Sequence, residues 1–239
     1  MLSQRKAVKT LDSVLLNALS DDQRRLIEAH LKGVLDINTV HNLTRITSWE
    51  EGMLLHVEDS LVGLKELEEA PEGPCADLGT GGGFPGVPLS IVSGRNILLV
   101  DSVQKKMTAV QTLIDKLGLS DQIQTYAGRI EDLSKERPQS FSVLTARALS
   151  SLPSLLELAS PLLVQGGRLI CYKSQLPGNE LEHAQALESK LAMHFVSERQ
   201  MTLSDELTHR TIVVFEKQGE PTVKLPRKVG SAQKNPYSA

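Results

Sequence analysis

Two spacings of apolar residues divide this chain. Between residues 3 and 35 they recur at helical intervals: Leu11, Val14, Leu15 and Leu19, then Leu26, Ile27, Leu31, Val34 and Leu35. That spacing predicts two amphipathic helices, with Ser20-Asp21-Asp22 as the cap of the second. His30 falls within the second run and is expected at its edge. A polar turn, His41-Asn42-Leu43-Thr44-Arg45-Ile46, precedes a further helix over 49–69. Ala70-Pro71-Glu72-Gly73-Pro74 ends this section, since two prolines and a glycine break a helix and mark a boundary.

The pattern then changes. Short apolar runs at 75–78, 96–100, 123–126, 141–146 and 168–172 have strand length, and stretches at 103–117, 152–164 and 179–193 have helical period. Gly118 and Gly166-Gly167 read as helix stops. Runs at 195–201 and 211–216 fit a closing antiparallel pair. Strands alternating with helices predict an α/β fold with a doubly wound, mostly parallel, Rossmann-like sheet. The antiparallel pair lies at its C-terminal end, and a helical extension precedes it. The expected division is an extension over 1–70, a main domain over 71–217 and a tail over 218–239.

In such sheets ligands sit beyond the carboxyl ends of the strands. Gly79, Asp101, Gly128, Arg147 and Lys173 are therefore expected on one rim. The first strand runs into Asp77-Leu78-Gly79-Thr80-Gly81-Gly82-Gly83-Phe84-Pro85-Gly86, with five glycines in eight positions. Glycines permit positive φ and a close approach to bare backbone. Pro85 or Pro88 suits the first turn of the following helix. Two frames fit this loop. Gly81 to Gly86 matches G-x-G-x-x-G, the dinucleotide fingerprint. Asp77 to Gly83 reads acidic-x-Gly-x-Gly-x-Gly, which resembles the first motif of S-adenosylmethionine-dependent methyltransferases. Asp101, 22 residues after Gly79, suits two ribose hydroxyls of either cofactor. An NAD-dependent oxidoreductase therefore stays open on these residues alone.

A longer set of residues resembles one family. His41-Asn42-Leu43-Thr44, His56 with Asp59-Ser60, Asp77 to Gly81, and Gly83-Phe84-Pro85-Gly86-Val87-Pro88-Leu89 come first. Asp101-Ser102 with Lys105-Lys106, Arg129-Ile130-Glu131, Arg147-Ala148, Lys173, Arg210 and Pro226-Arg227-Lys228 with Gly230 follow in order. Over 41–236 the chain is similar to the small-subunit ribosomal RNA guanine-N7 methyltransferases, the RsmG or GidB family. Its two departures are Ser174 after Lys173, where glycine is usual, and Leu225 where the tail motif opens on an aromatic residue. The resemblance implies S-adenosylmethionine as cofactor, held by Gly79, Phe84, Ile130, Glu131 and Arg147, to which the strand-end Asp101 is added from its position. It implies 16S ribosomal RNA as substrate, with Asn42 expected on the substrate side and Lys173, Arg210, Arg227, Lys228 and Lys234 expected on phosphates; a monomer in the cytoplasm is expected besides. A non-catalytic ribosome-assembly factor with the same fold is the alternative.

Charge and chemistry add to this expectation. Net charge is −3, which argues against a generic nucleic-acid coat, but the distribution matters more than the sum. From Lys217 onward five basic residues face one acidic residue, and Arg5, Lys6 and Lys9 cluster at the other end. No apolar run approaches the roughly 18 residues of a membrane span. Cys75 and Cys171 are expected as reduced core residues. His41, His183, His194 and His209 lack metal-ligand spacing, so no metal is expected. Guanine N7 has a free lone pair, so its methylation requires no general base, and no nucleophile–base set stands out. Arg147, closing the fourth strand, is expected to hold a carboxylate or phosphate in two-pronged fashion. His56 and Asp59 are expected on the substrate side, with Asp59 accepting from the guanine N1–H and N2–H.

Overall fold

The computed structural model describes residues 16–41 and 43–238. The expectations for Leu11, Val14 and Leu15, for Arg5, Lys6 and Lys9, and for Asn42 lie outside the described residues. Helix α1 (Asp21–His41) opens the described chain. A helical segment follows as α2 (Trp49–Gly52), a π-helical stretch (Met53–Glu58) and α3 (Asp59–Leu61), and α4 (Leu64–Glu68) completes it. Then come β1 (Cys75–Leu78), α5 (Gly86–Ser93), β2 (Ile97–Asp101), α6 (Gln104–Lys116), β3 (Ile123–Ala127) and α7 (Ile130–Glu136). The chain continues through β4 (Phe141–Arg147), α8 (Leu152–Ala159), β5 (Leu163–Lys173), α9 (Glu180–Ala186) and α10 (Glu188–Leu191). It ends with β6 (Met193–Thr202), β7 (His209–Lys217) and α11 (Ser231–Lys234).

The strands form one seven-stranded sheet in the order β3-β2-β1-β4-β5-β7-β6. The first five are parallel, and β7 runs antiparallel to both β5 and β6. Alternation along the strands sorts the core into two layers. Cys75, Ile97, Leu99, Val143 and Ile170 pack with the helices α1 to α6. Ala76, Leu98, Val100, Leu144 and Leu169 face α8 to α11 on the other side. With both faces covered, the central strands β1, β2 and β4 are buried along almost their whole length, whereas the edge strand β3 carries Gln124 and Thr125 and is mostly not buried. The helices before Ala70 share the first layer: Ile27, Leu31, Val57 and Leu61 are buried with Val87 and Leu99. Each such leucine contributes about 2 kcal/mol by leaving water.

Three boundaries differ from the expectation. The helix expected over 152–164 stops at Ala159, because Pro161 cannot continue it. Gly166-Gly167 instead lie inside β5, where the register against β4 shifts between Phe141 and Val143. The helix expected over 179–193 breaks into α9 and α10 and ends at Ala192, which has a left-handed φ of 53°. The helix expected over 49–69 is interrupted by its π-helical stretch and by Gly63.

Candidate active site

The sheet reverses its winding at β1, between β2 and β4, and that switch point opens the crevice. The chain leaves β1 through Gly79 at φ 73°. Its N–H donates to the Val100 carbonyl at 2.8 Å. Further along, the Gly81 N–H donates to Asp101 Oδ2 at 3.2 Å and the Gly86 N–H to Asp77 Oδ2 at 2.9 Å. Thr145 Oγ1 donates to the other Asp77 oxygen at 2.8 Å. Asp77 is fully buried. Burial raises its pKa, against the lowering effect of the Thr145 and Gly86 bonds. Its work is internal: it braces the loop from below. A methyl group on Gly86 would stand 2.4 Å from Leu99 Cδ2, so only glycine lets α5 start this close to the sheet.

Above the loop, Gly79, Asp101, Ile130 and Glu131 line a crevice of about 80 Å³ that Leu149 and Gln233 also reach. Asp101 is aimed by its own turn, since Oδ1 accepts the Val103 N–H at 2.9 Å. Glu131 Oε1 accepts the Gly230 N–H at 2.6 Å, which ties the C-terminal segment to the crevice. A carboxylate at a strand end, an apolar face at Ile130 and a bare glycine turn fit an adenosine group. The volume falls short of the 300–1,000 Å³ usual for ligand pockets. Leu149 occupies the space beside Gly79, where an added methyl would lie 2.7 Å from Leu149 Cδ1. Leu149 thus narrows the crevice at Gly79.

A second cavity, about 390 Å³, opens at the ends of β4 and β5. Asp59 lies behind it, 2% exposed. Its Oδ2 accepts from Arg147 Nη1 at 2.9 Å and its Oδ1 from Arg210 Nε at 2.7 Å. One buried carboxylate thus clasps guanidiniums from β4 and β7. The π-helical stretch brings Leu55 and His56 to the same place. Arg147 Nη1 also donates to the Leu55 carbonyl at 3.1 Å, and Nη2 lies 3.4 Å from His56 Nδ1. Such wide turns are frequent at functional sites. Lys173 pairs with Glu180 Oε1 at 2.7 Å. Tyr172 donates to the Ser60 carbonyl at 2.9 Å.

Phe84 packs against the wall of the second cavity. It is 4% exposed. The His56 ring stacks on it at 4.4 Å and 5°, and the Arg147 guanidinium sits 5.9 Å from its centroid. Burial, and then the Arg147 charge, lower the His56 pKa to about 4. His56 is therefore a neutral ring, with Nε2 2.9 Å from Thr44 Oγ1. His30 lies on the other side of Phe84, with centroids 4.7 Å apart.

The rim expected as one surface is thus two neighbouring cavities. Gly79, Asp101, Ile130 and Glu131 meet in the crevice; Arg147, Lys173 and Arg210 meet in the larger cavity. Arg227 is turned onto Glu157, with Nε 2.6 Å from Oε1, and its guanidinium lies 4.1 Å from the Tyr237 ring centroid. Lys228 is exposed on the same segment. Two expectations are corrected. Asp59 cannot read a guanine edge, because both oxygens are taken by arginines in a buried place. His30 is not at a helix edge but fully buried, its Nε2 3.0 Å from the Gly82 carbonyl, and burial lowers its pKa to about 3. Its spacing with Ile27 and Val34 was the available signal. Gln233 had none, and Gly230, though part of the tail motif, had no local signal for its bond to Glu131, which only chain reversal makes.

A sheet of this order, with a glycine turn after its first strand and an acid ending its second, defines a Rossmann-like methyltransferase fold. Solved structures agree in fold. An O-methyltransferase from Bacillus cereus, in complex with SAH, matches at TM-score 0.57 and 16% identity over 86% of this chain and 94% of that one. TrmK of M. capricolum, in complex with S-adenosyl-homocysteine, matches at 0.50 and 16% over 68% and 71%. The chain belongs to the GidB family, rRNA small subunit methyltransferase G, whose model matches residues 23–211. Ribosomal RNA small subunit methyltransferase G of Lactobacillus acidophilus is 33% identical over 91% of this chain and 92% of its own. That of Desulfitobacterium hafniense is 34% identical over 91% of each.

Proposed function

We propose that this chain methylates N7 of a guanine in 16S ribosomal RNA, using S-adenosylmethionine. The observation that carries the reading is the pairing of the two cavities: a narrow crevice bearing the Asp101 carboxylate and the apolar face of Ile130 beside a cationic cavity, with Leu149 on the first and its neighbours Ala148 and Ser150 on the second. When bound, the cofactor supplies an electrophilic methyl carbon, which N7 accepts on its lone pair as the carbon–sulfur electrons return to sulfur. No proton leaves the base, so the chain needs no general base. This agrees with a His56 that is neutral and stacked rather than poised to titrate.

What the chain does is hold and align. Asp101 takes ribose hydroxyls and Ile130 packs the adenine face, with Gly79 leaving room for the approach. Asp59, Leu55 and His56 engage one side of the Arg147 guanidinium. Nε–H and one Nη2–H remain, adjacent on one edge, and that edge suits a carboxylate or phosphate. Lys173, Arg210 and Lys228 contact RNA phosphates; Asn42 is assigned to the RNA side with them. Arg227 acts at one remove, by anchoring the segment that bears Lys228. Alignment of this kind supplies roughly 7–11 kcal/mol of barrier lowering. The buried, unpaired Cys75 and Cys171 suit a reducing cytoplasm, and the chain acts as a monomer on the small subunit or an assembly intermediate.

The test is to mix the protein with labelled S-adenosylmethionine and small subunits lacking the modification. Label in N7-methylguanine of 16S RNA is expected, reduced at least tenfold by Arg147→Ala. A protein that binds the subunit without transferring label is an assembly factor, and the reading fails.

A further inference from the structure

A further cavity belongs to neither half of this site. It is a cleft of about 730 Å³ between the end of α1, the loop Leu43 to Ser48 and the first turn of α6. Arg45 and Lys106 line it, with Asn38, Thr39, Thr44 and Thr47. None of its described lining residues is acidic. Neither Arg45 nor Lys106 has an ion-pair partner among the described residues, whereas Arg147, Arg210 and Lys173 in the neighbouring cavity are all paired. Unpaired cations are the ones that gain most from a phosphate, because no existing pair must break.

The cleft is also wired to the active site. Asn38 Oδ1 accepts the Thr44 N–H at 2.8 Å, and Thr44 Oγ1 meets His56 Nε2 at 2.9 Å. Along this loop Arg45 and Thr47 face the cleft, while Ile46 between them lines the cavity of Arg147. The Leu43 carbonyl stands 3.8 Å from where a methyl on Gly81 would be. One stretch of loop is thus the wall between two cavities, basic on one side and at the methyl-transfer site on the other.

We infer that this cleft is a second nucleotide subsite, holding the RNA strand that flanks the target guanine. Arg45 and Lys106 take backbone phosphates, and the Thr39 and Thr47 side chains take 2′-hydroxyls or base edges, the groups by which single-stranded RNA is recognised; Asn38, buried and bonded to Thr44, holds the loop in place. The inference rests on the methyltransferase reading above, and it adds where the substrate strand runs: over the loop, from Arg147 to Lys106.

The experiment compares the full-length protein with Arg45→Ala/Lys106→Ala. Small subunits lacking the modification serve as substrate, binding is followed by co-sedimentation, and S-adenosylmethionine binding is followed by calorimetry. Two lost phosphate contacts lower the slope of log affinity against log salt by about 1.4–1.8, which is about 20-fold in affinity near 0.15 M salt. KM for subunits is expected to rise by that factor while kcat falls less than twofold, and the Arg45→Lys/Lys106→Arg variant is expected to restore both slope and KM. An unchanged salt slope overturns the inference. So does weakened S-adenosylmethionine binding, which would give the cleft to the cofactor, or full competition by a free nucleoside monophosphate. If the wild-type protein binds subunits but transfers no methyl group, the parent reading fails while the salt slope still reports on the cleft.

Discussion

Replacing Asp59 with asparagine removes one charge and almost no volume, so its consequence is electrostatic. The carboxylate is 2% exposed, and the Arg147 and Arg210 side chains it clasps are 13% and 15% exposed. Asparagine leaves one oxygen to accept from one arginine and turns an amide N–H₂ toward the other. Removing one partner from a buried ion pair costs about 3–5 kcal/mol. Partial water access to both arginines places this case near the lower end, about 3 kcal/mol. For a domain of this size that corresponds to a fall in Tm of about 6–12 °C. Urea unfolding followed by circular dichroism measures it directly, with an unchanged slope showing that the unfolded state is unaltered. Salt is not expected to restore stability, because buried pairs are screened little. In the double variant with Arg210→Met the losses fall short of their sum by about 1 kcal/mol or more, since the remaining oxygen then serves Arg147 alone. Methyl transfer falls as well, because the Arg147 edge is no longer held. A loss below about 1 kcal/mol with transfer intact would refute the clasp.

Three further outcomes are expected. His30 has a pKa lowered from 6.5 to about 3; between those values the unfolded chain binds the proton that the folded one excludes. Stability is therefore full above pH 6.5 and lost as pH falls, by about 2 kcal/mol from pH 7 to 5 for this residue alone. Urea midpoints across that range should drop less in His30→Gln, and parallel profiles would count against the assignment. Gly79→Ala places a side chain at φ 73° and 2.7 Å from Leu149 Cδ1, so S-adenosylmethionine affinity should fall at least tenfold in a folded protein; calorimetry showing wild-type affinity removes Gly79 from the crevice. Arg227→Ala leaves the buried Glu157 without its guanidinium and should open the segment after Gly219 to trypsin, whereas a wild-type digestion pattern would show that other contacts hold it.

The strand–loop–helix around Asp77 to Leu89 was legible because its signals are local. A glycine at positive φ, a proline in a first turn and a short apolar run each act over a few residues, whatever surrounds them. The same holds for the order of strands and helices, and for Asp101, Arg147 and Lys173 as residues that close their strands. Motif resemblance added the family, and through it the cofactor. Near residue 160 the local signals compete: Gly166-Gly167 reads as a helix stop, but the missing N–H of Pro161 is the stronger constraint and ends α8 at Ala159.

What the linear chain alone determined was therefore the doubly wound sheet, the glycine turn at its switch point and the residues on its rim. Tertiary structure decided which of those charges are free. Asp59 meets Arg147 and Arg210 across 88 and 151 residues of sequence, and no local pattern encodes that meeting. His30 is buried only because Gly82 and Phe84 fold onto α1, and Arg227 is sequestered only because the tail returns to α8. Propensity is set by neighbours in sequence, whereas burial and ion pairing are set by neighbours in space. The division of the rim into a narrow crevice at Gly79, a clasped cationic cavity and an unpaired basic cleft exists only in the folded chain.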